Sequence, residues 1–333
     1  MGLKSKIVAL CFLATFVAVG SRYAYLSSNS VELPKDLVLL KGANSPGGSD
    51  SASLWYNSPY GLISVKEKWR AVVAYREAEA GFDKFEKHFG VRPERGLFSD
   101  GTVILEDIAY DRNLVKWTLV WPIKGSGPSE AHLNTAIRHE LAHGFLRVYL
   151  WPWGSGEKVI DTPKSRYGSP APDWLDELAA MSVEDDLKFN NRLKNFQAMA
   201  RASAIIPFSD FFTMEHPNVS GETDPSAKVT VKKQLVGGKT ITTTTIIRTP
   251  SGPGDFSIGT KFVEQGAALF SFLTEKTSDL QVFGKVSSWI QQGGSFEGWL
   301  EQYAVNANNK ADLGSSLTEF EAKFIAWGKA LKI

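Results

Sequence analysis

Between residues 65 and 89 the apolar positions recur every three or four residues. Trp69, Val72 and Val73 share one side, and Ala78, Phe82, Phe85 and Phe89 continue the spacing. That period predicts an amphipathic helix, and Gly90 supplies a glycine stop. Strand-like pieces follow at 96–98, 102–105 and 116–122. In the last of these, Trp117, Leu119 and Trp121 alternate with Lys116, Thr118 and Val120, as in a strand with two unlike faces. Pro122 and Gly125-Ser126-Gly127-Pro128 break it. Helical spacing returns at 134–150, with an apolar stripe of Ile137, Leu141, Phe145 and Val148. The Gly-, Pro-, Ser- and Lys-rich stretch 152–172 predicts a long loop of a length that often carries function.

A second helix is expected from Asp173 to about Phe189, with Asp173 as its cap and Asp176 in the capping-box position. Residues 208–212 are helical or looped. Residues 228–247 are rich in Val, Thr and Ile around Gly237-Gly238, which predicts a β-hairpin inserted into the body. From Gly259 onward three or four helical segments are expected, broken at Gly284, Gly293-Gly294 and Gly314. The fold class is therefore α+β: a subdomain of short strands and helices over 55–200, then a mostly helical C-terminal subdomain over 201–333 carrying the hairpin. The chain has 333 residues, enough for one large domain or two subdomains.

The amino terminus changes the picture of where the chain works. Lys4 and Lys6 precede an apolar run, Ile7 to Gly20, closed by the small-x-small pattern Ala18-Val19-Gly20. This is the order of a secretory signal peptide over residues 1–20. The run is short for a membrane span, which needs about 20 apolar residues. An uncleaved anchor to the inner membrane, over 7–26, is the alternative. Cys11 is the only cysteine, and Leu10 before it fits a lipoprotein signal poorly, so no disulfide is expected. Export to a bacterial periplasm, or secretion, fits these features. Residues 21–54 read as a flexible linker with room for one short strand at Leu37 to Leu40. A net charge of +1 points to no nucleic-acid partner and to no membrane contact beyond the N-terminal anchor.

Chemistry enters at His139-Glu140-Leu141-Ala142-His143. On a helix, positions four apart share a face, so both imidazoles can aim at one point. Glu140 projects about 100° round from His139, beside a metal and not on it, as a general base for metal-activated water requires. The bland alternative is two surface histidines on an amphipathic helix. The separate apolar stripe weakens it, because the histidine face need not serve the core. His132 reads as a polar residue near the start of this helix, and His88 as a cation favoured near a helix end.

A catalytic zinc site needs a third protein ligand and an open position. Pro172-Asp173-Trp174-Leu175-Asp176-Glu177-Leu178-Ala179 resembles the P-x-W-L-x-E-G-x-A helix of the gluzincin metallopeptidases. The resemblance implies a thermolysin-like, zinc-binding catalytic subdomain over 55–200, a small mixed sheet plus zinc helices. It implies one Zn²⁺ per chain held by His139, His143 and Glu177. It also implies a carboxylate at Glu184, behind a ligating histidine and orienting its ring; a solvated helix acid is the other reading of Glu184. Strand 116–122 would be the edge beside the cleft, pairing with an extended peptide, or simply a buried edge strand. The chain departs from the family at Leu178, where glycine is usual, and at Val263, where a Tyr donating to the oxyanion is common. Tyr303, Tyr167 and His216 are candidates for that donor, and the amino-terminal-recognition motif of the aminopeptidase branch is missing. The expected function is hydrolysis of peptide or protein substrates with Glu140 as general base. The alternative is a catalytically silent zinc- or peptide-binding module.

Overall fold

Two short apolar stretches around Tyr60 form the frame on which the sheet is built. Leu54–Ser58 (β2) and Gly61–Val65 (β3) pair antiparallel, and Val38–Leu39 (β1) adds to the outer side of β2. The structure, a computed structural model, describes residues 31–40, 53–100, 115–124, 134, 136–151, 171–217, 227–236, 239–248, 257–306 and 312–333, and only the backbone of 227–236 and 239–248. The expected signal or anchor segment, strand 102–105, most of loop 152–172, His132 and Tyr167 lie outside the described residues.

β3 is buried along its whole length, as a strand covered on both faces must be. The chain leaves it through the helix Lys68–Phe89 (α1) and returns parallel as Gly96–Ser99 (β4). Thr118–Val120 (β5) then pairs parallel to β4, which gives a five-stranded mixed sheet in the order β1-β2-β3-β4-β5. Gly61 has φ of +133°, and a Cβ there would run into the backbone of Gly96, so the two adjacent strands approach closely because Gly61 has no side chain, while the bare Gly96 leaves room for the Trp117 ring. The expected strand 116–122 is shorter as a ladder element, yet its backbone bonds span it: Lys116 donates to Arg95, and Trp121 donates to Ser99. Trp55, Leu62, Leu97 and Val115 form a small core on this sheet, with Leu40 packed against it.

The chain folds as two compact units. One holds the sheet, α1 up to Asp83, and the helix Ile137–Phe145 (α2) up to Gly144. In it Arg138 forks onto Glu77 at 2.6 and 2.8 Å, tying α2 to α1. Asn134, almost fully buried, accepts from the Lys124 amide (2.6 Å) and donates to the Lys124 carbonyl (3.1 Å), so its side chain does the work of a strand partner just before α2.

The other unit holds the end of α1 from Lys84 and everything after Gly144. Its helices are Asp173–Ser182 (α3), Asp186–Arg201 (α4), Phe208–Phe211 (α5), Ile258–Thr277 (α6), Val282–Gln291 (α7), Phe296–Val305 (α8) and Leu317–Ala330 (α9). α3 is buried from Trp174 through Ser182, the mark of a helix inside the core. Both α3 and α4 lie along α6. At Gly266 an added Cβ would sit 2.6 Å from Met181 Cε, so this glycine sets how closely α3 and α6 approach. Ala227–Val236 (β6) and Lys239–Arg248 (β7) pair antiparallel from Ala227↔Arg248 to Val236↔Lys239, the expected hairpin, with its glycine turn outside the described residues. The molecule is thus α+β, a small mixed sheet with a mostly helical remainder. Among the described residues no helix is long and apolar enough to cross a membrane.

Four expectations are corrected. The helix expected to run to Phe189 stops at Ser182, because Asp185 accepts from Lys188 N at 2.9 Å and caps a new helix. Asp173 does not cap α3: Pro172 holds that position, and Asp173 Oδ2 accepts from the His216 amide at 2.6 Å. Gly284 does not break a helix either. It lies within α7, where a Cβ would strike the Phe89 carbonyl, and the break falls earlier, at Ser278 in the left-handed region. His88 is not a favoured cation: burial, with the nearby Lys87 and Lys84 charges, lowers its pKa to about 4, against a Ser182 backbone hydrogen bond.

Candidate metal centre

α2 places its two histidines as the spacing demands, with ring centroids 4.9 Å apart and the planes at 81°. The helix is fixed from behind by Ile137, Leu141 and Phe145, none more than 1% exposed. After Phe145 the backbone widens into a π-helical turn over Leu146–Leu150, closed by Trp151 N–H donating to the Leu146 carbonyl at 2.9 Å. The wider turn rotates the helix face, so Leu146 completes the buried stripe and Val148 is only half-buried. Such turns concentrate at functional sites.

Glu177 stands on α3, 4% exposed. One ligand atom each from His139, His143 and Glu177 lies within 4.8 Å of the other two, a group that could hold a metal ion. His143 is buried and His139 half-buried. Two imidazole nitrogens and one carboxylate oxygen match the donor set of a three-ligand catalytic site, and borderline divalent ions prefer such a mixture. Glu140, half-buried on the same helix, is not a member of the group, as its angle round the helix requires. Neighbouring α3 residues are also engaged. Asp176, fully buried, meets Arg147 at 3.3 Å from the π turn.

Glu184 has a different setting from the one expected. It sits between α3 and α4, not two turns along one helix, and it is 1% exposed, so the solvated reading is wrong. Arg192 forks onto it at 2.6 and 2.8 Å, and Lys188 reaches it at 2.6 Å. Arg192 also lies 3.8 Å from Glu264 on α6. Burial raises the Glu264 pKa, and Arg192 opposes that rise.

Of the oxyanion candidates, Tyr303 lies on α8 with its ring 5.2 Å from Trp299. Val263, at the position where the family commonly has a Tyr, is half-buried on α6. His216 is the surprise: its Nε2 lies 3.0 Å from Glu177 Oε1, with the ring 1% exposed and edge-on to Phe262 at 5.3 Å. Nothing local in the sequence signals this. A histidine 39 residues beyond its partner has no periodicity to betray it. No protein-family model, curated protein or solved structure matches the chain.

Proposed function

We propose that this chain is a zinc-dependent peptidase of gluzincin type. The observation that carries the reading is the convergence of both histidines of the H-E-x-x-H helix with Glu177 of the Trp-Leu-x-Glu helix in one group within 4.8 Å. The mixed sheet preceding those helices supports a thermolysin-like catalytic domain, and the order of residues 1–20 supports export. When bound, zinc supplies Lewis-acid activation of water and of the substrate carbonyl.

The remaining steps belong to the chain's own side chains. His139, His143 and Glu177 hold the ion. Glu140 accepts a proton from the attacking water and passes it to the amine nitrogen as the C–N bond breaks, the two-way proton transfer that a positioned carboxylate performs. β5 is an edge strand among the described residues, and Val120 on it is 46% exposed. Its outward backbone groups suit pairing with an extended peptide. One observation favours a silent binding module, the half-buried Val263 where an oxyanion donor is common. Glu140 weighs against it, because a site that only holds metal has no use for an adjacent base.

The test is digestion of a broad peptide library by the full chain and by Glu140→Gln, with zinc content measured on both. The expected result is one zinc in each, with cleavage by the native chain alone. Equal cleavage by the variant removes Glu140 from the chemistry, and no cleavage by either favours the binding module.

A further inference from the structure

His216 is held at two points by one helix. Its backbone N–H donates to Asp173 Oδ2 at 2.6 Å, and its Nε2 lies 3.0 Å from Glu177 Oε1. Asp173 and Glu177 are four apart on α3 and therefore share a face. The main chain of His216 is moored to the first carboxylate and its side chain meets the second. Phe262 packs edge-on against the ring, with centroids 5.3 Å apart. Packing alone does not account for this arrangement, since an apolar ring would fill the space against Phe262 equally well.

We infer that His216 is the positioning residue for Glu177: its Nε2, 3.0 Å from Oε1, confines that end of the carboxylate and so keeps Glu177 directed at the group it forms with His139 and His143. The inference rests on the metal-site reading above. A glutamate's terminal torsion is broad and roughly two-fold, so an unrestrained carboxylate wastes much of its time misdirected. A ring nitrogen held 3.0 Å from one oxygen limits that freedom. Asp173 in turn fixes the nitrogen, because its bond to the backbone sets where the imidazole begins. Groups that orient a metal ligand in this way typically contribute 10- to 100-fold to metal affinity.

The experiment is Co²⁺ titration of the metal-free full chain, read by visible absorption, for the native chain, His216→Gln, His216→Leu and His139→Ala. Both His216 variants fill much of the space, and only Gln retains an N–H donor. The expected result is that His216→Leu binds Co²⁺ about 10- to 100-fold more weakly with an altered spectrum. His216→Gln recovers most of the affinity and the native spectrum, and His139→Ala loses the spectrum. Metal-free melting temperatures of Gln and Leu should agree, which separates positioning from folding. Native affinity and spectrum in His216→Leu overturn the inference while leaving the metal site intact. A native chain that takes up no more Co²⁺ than His139→Ala overturns the metal-site reading, and the inference with it. Should Leu fail to fold, Asp173→Ala with His216→Gln supplies the comparison: unchanged affinity and spectrum in Asp173→Ala also overturn it.

Discussion

Glu177 and Glu184 are seven residues apart, equally deep, and differently surrounded. Glu184, 1% exposed, is enclosed by a guanidinium and an ammonium, with both oxygens engaged at 2.6 to 2.8 Å. Glu177, 4% exposed, meets imidazoles: His139 and His143 within 4.8 Å and His216 at 3.0 Å. A buried carboxylate is costly unless a positive charge or strong hydrogen bonds compensate it. Around Glu184 the fold supplies permanent cations. Around Glu177 it supplies imidazoles, and Glu177 with His139 and His143 forms a group that could hold a metal ion. One acid is compensated within the scaffold, and the other stands where a cation from outside could be held.

The contrast predicts that the two carboxylates fail in different assays. Glu177→Ala should abolish stoichiometric zinc binding, measured by metal analysis of the purified chain, while the metal-free melting temperature stays near its native value. Undiminished zinc in this variant removes Glu177 from the centre and collapses the comparison. Arg192→Met should do the reverse. It leaves Glu184 and Glu264 buried without their guanidinium, and breaking a buried pair in this way costs about 3–5 kcal/mol. Denaturant unfolding would report that loss, and the folded fraction should still take up one zinc. Arg192 is expected to matter this much because the second oxygen of Glu264 has no hydrogen-bond partner.

The same pair shows what could be read from the chain and what could not. The helix Lys68–Phe89, the hairpin and the facing histidines follow from apolar spacing, glycine stops and the geometry of a helical turn, all of them local. Glu177 entered through the resemblance of Trp174-Leu175-Asp176-Glu177 to a known helix. The break after Ser182 was not legible. It depends on Asp185 capping Lys188 and on Glu184 finding Arg192, whereas periodicity records apolar residues only. A lone glutamate is ordinarily exposed, so its burial at position 184 had no sequence signal. His216 was hidden for the related reason that its partners, Asp173 and Glu177, lie on a helix far back in the chain.

Burial of a base rather than an acid sharpens the comparison. An arginine cannot shed its proton at any ordinary pH, so Arg192 must be met by carboxylates. A histidine can, and His88 does. It is 8% exposed against Phe270, and burial together with the Lys87 and Lys84 charges lowers its pKa from 6.5 to about 4. Above pH 6.5 the ring is neutral in both the folded and unfolded chain, and stability is indifferent to it. As pH falls from 6.5 to about 4, the unfolded chain takes up a proton that the folded chain refuses, so stability is lost across that window, by an amount on the order of 3 kcal/mol at its foot. The difference between the unfolding free energies of the native chain and His88→Gln should therefore narrow as pH falls below 6.5. A difference that is flat from pH 7 to 4 would show that His88 is protonated in the fold.

The smallest effect expected tests whether the compensation at Glu184 reaches beyond its first cations. Lys84, at the end of α1, donates to the Glu184 carbonyl at 2.6 Å and to Asp186 at 2.8 Å. The carbonyl bond ends on the linker between α3 and α4, and Asp186 is 89% exposed. A hydrogen bond from a charged donor to a partly buried carbonyl contributes about 1.5–3 kcal/mol at most, and an exposed pair about 0–1. Asp186→Asn should therefore shift stability by less than about 1 kcal/mol, with the shift fading in high salt as the pair is screened. Lys84→Met should cost more, and the excess should persist in salt, because the bond to the carbonyl is short-range. Equal and equally salt-sensitive losses would mean that the ammonium stabilises this corner only as a surface charge. Arg192 and Lys188 would then be the cations that compensate the buried Glu184 carboxylate, with Lys84 adding nothing to it.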